Sequence, residues 1–185
     1  MKERGFTLVE LMTVVTIVGL TMALAAMSLK PNRGEQARSF ARLLLGVCHE
    51  ARQSAMSQRQ TSRLRLPLPA STGISSVRLE TRDPANSANW LPLGGTVQLP
   101  HDVQLCAPEA VAQLGPATTS CPIAAAKDVC ISPSGAVTVL NAPGACDDNA
   151  GGTGATLYVR TADGKTKYKV VIFGLTGLPK VMDQW

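Results

Sequence analysis

The spacing of hydrophobic and polar positions changes character twice along the chain. Residues 6 to 29, FTLVELMTVVTIVGLTMALAAMSL, form an apolar run with one ionisable side chain, Glu10, in 24 positions. As a helix rising about 1.5 Å per residue, the run extends roughly 36 Å, enough to cross a bilayer with some tilt. Pro31 has no amide hydrogen and KPNRG at 30 to 34 adds a glycine, so the helix is expected to kink or break there. It then resumes with a different pattern. From Ala37, the positions Phe40, Ala41, Leu44, Cys48, Ala51 and Ala55 recur at spacings of three and four, which predicts a helix with one buried face. A long helix over about 6 to 59 is the expectation, its first half in lipid and its second half packed on a globular domain. Gly19 is a weak point in the lipid half, read either as close helix packing beside Ala23 or as a place for local unwinding.

Beyond residue 60 the period shortens to two. TSRLRL at 61 to 66, SSVRLET at 75 to 81, GTVQLP and DVQLCA near 95 to 107, and DVCIS at 128 to 132 read as strands. So do GAVTVL at 135 to 140, ATLYVRT at 155 to 161 and KYKVVIF at 168 to 173. Asp163-Gly164 predicts a hairpin between the last two, through a two-residue turn that favours positive φ. Residues 108 to 127 and 141 to 154 are expected to be long surface loops. One helix followed by many antiparallel strands gives an α+β class.

Composition adds that the apolar surplus is local. Hydrophobic residues make up 45% of the chain and charged residues 17%, with the excess concentrated at the N-terminus. A chain of 185 residues holds one ordinary domain plus one special segment. A cleaved secretion signal is the rival explanation of the apolar run, with ALAA at 23 to 26 as its cut site. Such signals carry only about 7 to 15 apolar residues, and this run is longer. A carboxylate inside a membrane segment costs about 2.5 to 3.5 kcal/mol, so Glu10 calls for a cationic partner, and its own segment supplies none.

The stretch RGFTLVELM resembles the class III signal of type IV pilins and type II secretion pseudopilins. The resemblance implies that a prepilin peptidase cuts between Gly5 and Phe6 and that the new terminus at Phe6 is methylated. It also implies that Glu10 faces the terminal amine of a neighbouring subunit, which would be the missing cation. ARSFARLLLGVCHEARQSAMSQRQ, the tryptophan before LPLGGTVQLPHDVQL, ISPSGAV and the terminal GLTGLPKV are similar to the GspH/FimT-type minor pilins and pseudopilins. The residues carrying that match are Ala51-Arg52, Ala55, Trp90, Ser132-Pro133-Ser134-Gly135 and GLTGLPKV. The implied organisation is a leader at 1–5, a transmembrane and filament-core helix at 6–29, an amphipathic continuation at 30–59 and a β-rich periplasmic body at 60–185.

Four cysteines, Cys106, Cys121, Cys130 and Cys146, lie in the loop-rich half, and Cys48 lies on the helix. In an oxidising compartment two disulfides are expected, with three connectivities open. Cys106 with Cys121 and Cys130 with Cys146 is favoured because each closes a loop of about 15 residues, worth roughly 3 kcal/mol in the chain-entropy model. No zinc site is expected, since there is no C-x-x-C pair and His49 and His101 are isolated. Asp147, Asp148 and Asn149 are oxygen donors that calcium would accept, without EF-hand spacing, and no cofactor is the expectation. DGKT at 163 to 166 has Val159 where a phosphate loop needs its first glycine. No nucleophile, base or paired-carboxylate arrangement can be assembled, so no enzyme is expected.

The net charge of +5 brings in nucleic acid as a rival partner. Seven arginines stand between residues 33 and 65, and Arg38, Arg42, Arg52 and Arg59 fall within an arc of about 100° on a helical wheel. The resemblance raises DNA binding through a glycine-arginine motif near the C-terminus. Here Gly174 and Gly177 are followed by Leu178 and Pro179, which leaves Lys180, with Lys165, Lys167 and Lys169 nearby in sequence. A solvated face or contacts to acidic neighbours is the preferred account.

The expected function is a minor pilin, a non-enzymatic subunit that primes or caps a type IV pilus. The alternatives are a type II secretion minor pseudopilin and a DNA-binding minor pilin for uptake. The implied partners are minor and major pilins, the prepilin peptidase, an inner-membrane assembly platform and lipid before assembly. The implied location is the inner membrane, single-pass with a periplasmic body, and later the filament near its tip.

Overall fold

The computed structural model describes residues 7–28, 32–66, 76–112, 121–123, 126–140, 146 and 151–183. The chain divides into two compact units, Met1–Asn32 and Arg33–Trp185.

The first unit is built on helix α1, Leu8–Ser28, which runs unbroken through Gly19. Thr7 caps it: the Glu10 amide donates to the Thr7 hydroxyl at 3.3 Å and to the Thr7 carbonyl at 3.1 Å. The T-x-x-E spacing of a capping box is therefore present at the start of the apolar run. The hydroxyls of Thr13, Thr16 and Thr21 donate back to carbonyls three or four residues earlier, at 2.8 to 3.0 Å. The threonine hydroxyls are thus satisfied within the helix, and its outward surface is mainly Leu, Val, Ile and Met. Residues Leu8–Ala25 are long and apolar enough to span a membrane.

The second unit opens with helix α2, Arg33–Gln58. The expected interruption falls between the two helices, and Pro31 itself lies outside the described residues. Ala37, Phe40, Ala41, Leu44, Cys48, Ala51 and Ala55 are buried in one core, as the three-four spacing predicts, and Ser54 joins the same face. Helix α2 ends one residue short of the expected boundary, where Arg59 adopts a left-handed φ of 54° and the Gln60 amide reaches back to the Ala55 carbonyl.

Among the described residues ten strands follow, all antiparallel where they pair: β1 Ser62–Arg65, β2 Ser76–Arg82, β3 Trp90–Pro92, β4 Val97–Gln98, β5 Val103–Leu105, β6 Asp128–Ile131, β7 Val137–Leu140, β8 Ala155–Thr161, β9 Lys167–Ile172 and β10 Pro179–Asp183. One sheet has the order β3-β2-β1-β6-β7, with β4 also on β2; the other has the order β10-β9-β8-β5. Alternation decides the faces. Leu64, Leu79, Val129, Leu157, Val159, Val170 and Ile172 join α2 in the core, and the residues between them point to the opposite face of each sheet. Two of these strands, β3 and β10, were not expected from the sequence. The hairpin between β8 and β9 is present, but its ladder closes at Thr161 and Thr166, with four residues in the loop and positive φ at Gly164 alone of the Asp163-Gly164 pair. The two-residue turn is thereby corrected: the Asp163 carboxylate accepts from the Thr161 hydroxyl and the Lys165 amide, which stabilises the wider loop.

Candidate functional site

Glu10 sits at the third position of α1. The unpaired amides of a helix start carry a partial positive charge, so a carboxylate is least costly there among all places on an apolar helix. Gly5 and Phe6 lie outside the described residues, as do Asp147, Asp148 and Asn149.

The structure bonds Cys106 to Cys121 and Cys130 to Cys146, with Cα atoms 4.3 and 5.7 Å apart. Each bond closes a segment that leaves a strand and returns to it. After Cys106 the chain runs beside β8: Glu109 pairs with Thr156, the Thr156 hydroxyl donates to the Val111 carbonyl at 2.7 Å, and the Tyr158 hydroxyl donates to the Glu109 carboxylate at 2.7 Å. Burial and that carboxylate push the Tyr158 phenol well above its usual range. On the other sheet the Cys146 carbonyl accepts from the Arg82 guanidinium.

Close to Cys130 and Cys146 lies a buried cluster of charges. Arg63 stands directly across from Glu80 on β2 and from Cys130 on β6. Its Nε and Nη2 reach Glu80 Oε2 at 2.7 and 2.6 Å, and its Nη1 reaches Asp128 Oδ2 at 3.4 Å. The Trp90 ring covers the guanidinium at 4.0 Å, with Arg82 at 5.4 Å. Two carboxylates around one cation, with side-chain exposures of 7% for Arg63 and 0% for Asp128, make a fastener for β1, β2 and β6 with no open position for a substrate.

The segments singled out by resemblance converge on a second junction. Arg52 on α2 donates through Nε to the Thr176 carbonyl at 2.7 Å. The Val137 amide donates to Gly174 and the Gly154 amide donates to Val137, at 3.0 and 3.1 Å, so the two sheets are joined there by backbone alone. Space is so short that a Cβ on Gly152 would lie 2.0 Å from the Gly174 carbonyl oxygen, and one on Gly177 would lie 2.7 Å from that of Gly135. The GLTGLP stretch is therefore a structural clasp between helix and sheets.

The basic residues are dispersed. Lys169 is 2% exposed, packed beside Tyr158 in the cross-strand pair. Lys165 and Lys167 lie at the β8–β9 turn, and Lys180 lies on β10 on the face away from α2. Arg52 is committed to Thr176, and Arg59 has left the helix. The four-arginine arc is thus broken, and the four lysines do not form one patch.

Cys48 is the free cysteine among the described residues, and burial alone pushes its thiol up to about 12. At pH 8 an aromatic disulfide reagent is expected to modify no thiol in the folded chain and one after denaturation without reductant. Rapid modification of the folded chain would show that α2 lifts from the sheets.

Residues 1–26 match the prokaryotic N-terminal methylation motif. Two solved structures of the minor pseudopilin EpsH from the type II secretion system of Vibrio cholerae are similar to the chain. One has a TM-score of 0.52 at 12% identity and covers 82% of this chain and 96% of its own. The other has a TM-score of 0.47 at 12% identity, covering 80% and 96%. A comparison with curated protein sequences finds no match. The chain thus joins the methylation motif of prokaryotic pilins to a body with the pseudopilin fold.

Proposed function

We propose that the chain is a minor pilin, a non-enzymatic subunit that primes or caps a type IV pilus. The observation that carries this is the methylation motif across residues 1–26, with Glu10 in the first turn of an apolar helix. In this function Leu8–Ser28 anchors the subunit in the inner membrane and later packs into the filament core. A neighbouring subunit's methylated terminal amine neutralises Glu10 and fixes its register. The body, closed by two disulfides, presents its loops to other pilins in the periplasm. A type II secretion pseudopilin is the second assignment, favoured by the likeness of the body to EpsH. DNA uptake is the weakest of the three, because the lysines are dispersed.

The test is expression with and without a prepilin peptidase, in wild-type and Glu10→Ala forms. Mass spectrometry is expected to show loss of residues 1–5 and gain of one methyl group only when the peptidase is present. Sheared surface filament should fall at least about tenfold in the Glu10 variant, as expected when one partner of a desolvated ion pair is removed. A chain left uncut, or cut near Ala26, would overturn the proposal. Pili retained while protein secretion is lost on deletion would select the pseudopilin assignment.

A further inference from the structure

The two edges of the β10-β9-β8-β5 sheet differ. At the β5 edge, the Ile123 amide donates to the Leu105 carbonyl at 2.9 Å, so that side is covered. At the β10 edge, no described residue pairs with the outer side of the strand.

The ladder fixes which groups point outward. The Phe173 amide donates to the Leu178 carbonyl at 3.1 Å, and the register pairs Lys180 with Val171 and Met182 with Lys169. Bonding alternates along an antiparallel pair, so the backbone groups of Lys180 and Met182 face β9, and the amides of Val181 and Asp183 face the open side. Pro179 occupies an outward position where its missing amide costs nothing.

Beside this edge runs a groove of about 380 Å³ between β10 and α2, lined by Arg38, Arg42, Leu45, Pro179, Lys180, Val181 and Asp183. Its floor is apolar, through Leu45, Pro179 and Val181. Arg38 and Arg42, one helical turn apart, form its cationic wall, while Lys180, paired with Val171, is on the opposite face of the strand. Arg38 has only a 4.0 Å exposed contact with Glu35, and Arg42 and Lys180 have no ion pair among the described residues. Asp183 at one end is the sole acid in the lining.

A proline and a lysine on an edge strand also discourage unwanted pairing. That role explains Pro179 and Lys180, but leaves unexplained two arginines aligned on a separate element along the same groove. We propose that the β10 edge accepts an extended acidic segment of another protein chain as an added strand, with its backbone on Val181 and Asp183 and its carboxylates on Arg38 and Arg42. The inference concerns the body alone and does not depend on the filament role.

The test uses the full chain in detergent micelles and two fluorescent octapeptides, one alternating glutamate with valine and one alternating lysine with valine. The glutamate peptide is expected to bind at least about tenfold more tightly, and Arg42→Glu is expected to weaken it by about tenfold. Val181→Pro, which changes no charge, should weaken it as much, and the bound peptide should slow hydrogen exchange at Asp183. Arg42→Glu is on the exposed helix surface and leaves the core intact, so the charge test stands even where the proline variant folds poorly. Equal binding of both peptides, or no binding of the glutamate peptide, would overturn the proposal. So would a DNA duplex that binds more tightly than the peptide and is unaffected by Val181→Pro.

Discussion

An Arg63→Met chain is expected to lose about 3 to 5 kcal/mol of stability, the range for removing one member of a buried ion pair. Arg63 is the cation between Glu80 and Asp128, and Asp128 has no solvent exposure through which water could replace it. Methionine replaces only the aliphatic stem and leaves the guanidinium's place beneath Trp90 unfilled, so lost packing adds to the cost. Two carboxylates held together in a poorly solvated place are the large part. Since a domain of this size has about 5 to 15 kcal/mol in all, the variant should stand near the edge of folding. Arg63→Lys should fall between, because an ammonium keeps the charge but cannot span Glu80 and Asp128 with a planar fork. Adding Glu80→Gln and Asp128→Asn to Arg63→Met should restore much of the loss. Denaturant unfolding followed by tryptophan fluorescence reports all three, since Trp90 stacks on the guanidinium. A loss below about 1 kcal/mol for Arg63→Met would show that water reaches the cluster and screens it.

Gly174→Ala is expected to cost at least about 3 kcal/mol, the upper end of overpacking. The added Cβ would lie 2.3 Å from the Gly152 carbonyl oxygen and 2.6 Å from the Gly154 amide nitrogen. These are backbone atoms, so no side chain can swing aside; the sheets themselves must part. Two other glycines provide the comparison. A Cβ on Gly164 meets nothing within 4 Å, although its φ is +70°, so Gly164→Ala should cost only about 1 to 2 kcal/mol of backbone strain. Gly46 lies inside α2 in open space, so Gly46→Ala should stabilise the chain by roughly 0.5 to 1 kcal/mol. Thermal unfolding of the three variants should therefore fall in the order Gly46, Gly164, Gly174. An effect of Gly174→Ala no greater than that of Gly164→Ala would mean that the clasp opens at little cost.

The amphipathic helix was legible because its burial follows a local period, and every apolar position from Ala37 to Ala55 read as buried is so. The longer strands were legible for the same reason. β3 has three residues and begins at a tryptophan, and β10 begins at a proline; neither offers enough alternation to register as a strand. The charge cluster could not be read. Arg63 is 17 residues from Glu80 and 65 from Asp128, and each, taken alone, looks like a solvent-facing position in an alternating strand. Lys169 misled in the same way, because its burial on the outer face beside Tyr158 depends on contacts that no local period reveals. At the N-terminus, T-x-x-E was readable as a capping box, but the apolar run around it drew attention to the membrane and away from the helix start.

The clasp also decides where the body would yield under tension. A pull entering through Arg33 first meets an exposed 3.4 Å contact with Asp102, which gives way easily. Next come the apolar contacts of α2, which peel residue by residue. The Arg52 bond to Thr176 lies near the far end of the helix and is attached to the same glycines that join the sheets. Load on the first turns of α2 is therefore expected to reach the junction of the sheets only after the Arg33 contact and the packing of Ala37 and Phe40 have given way.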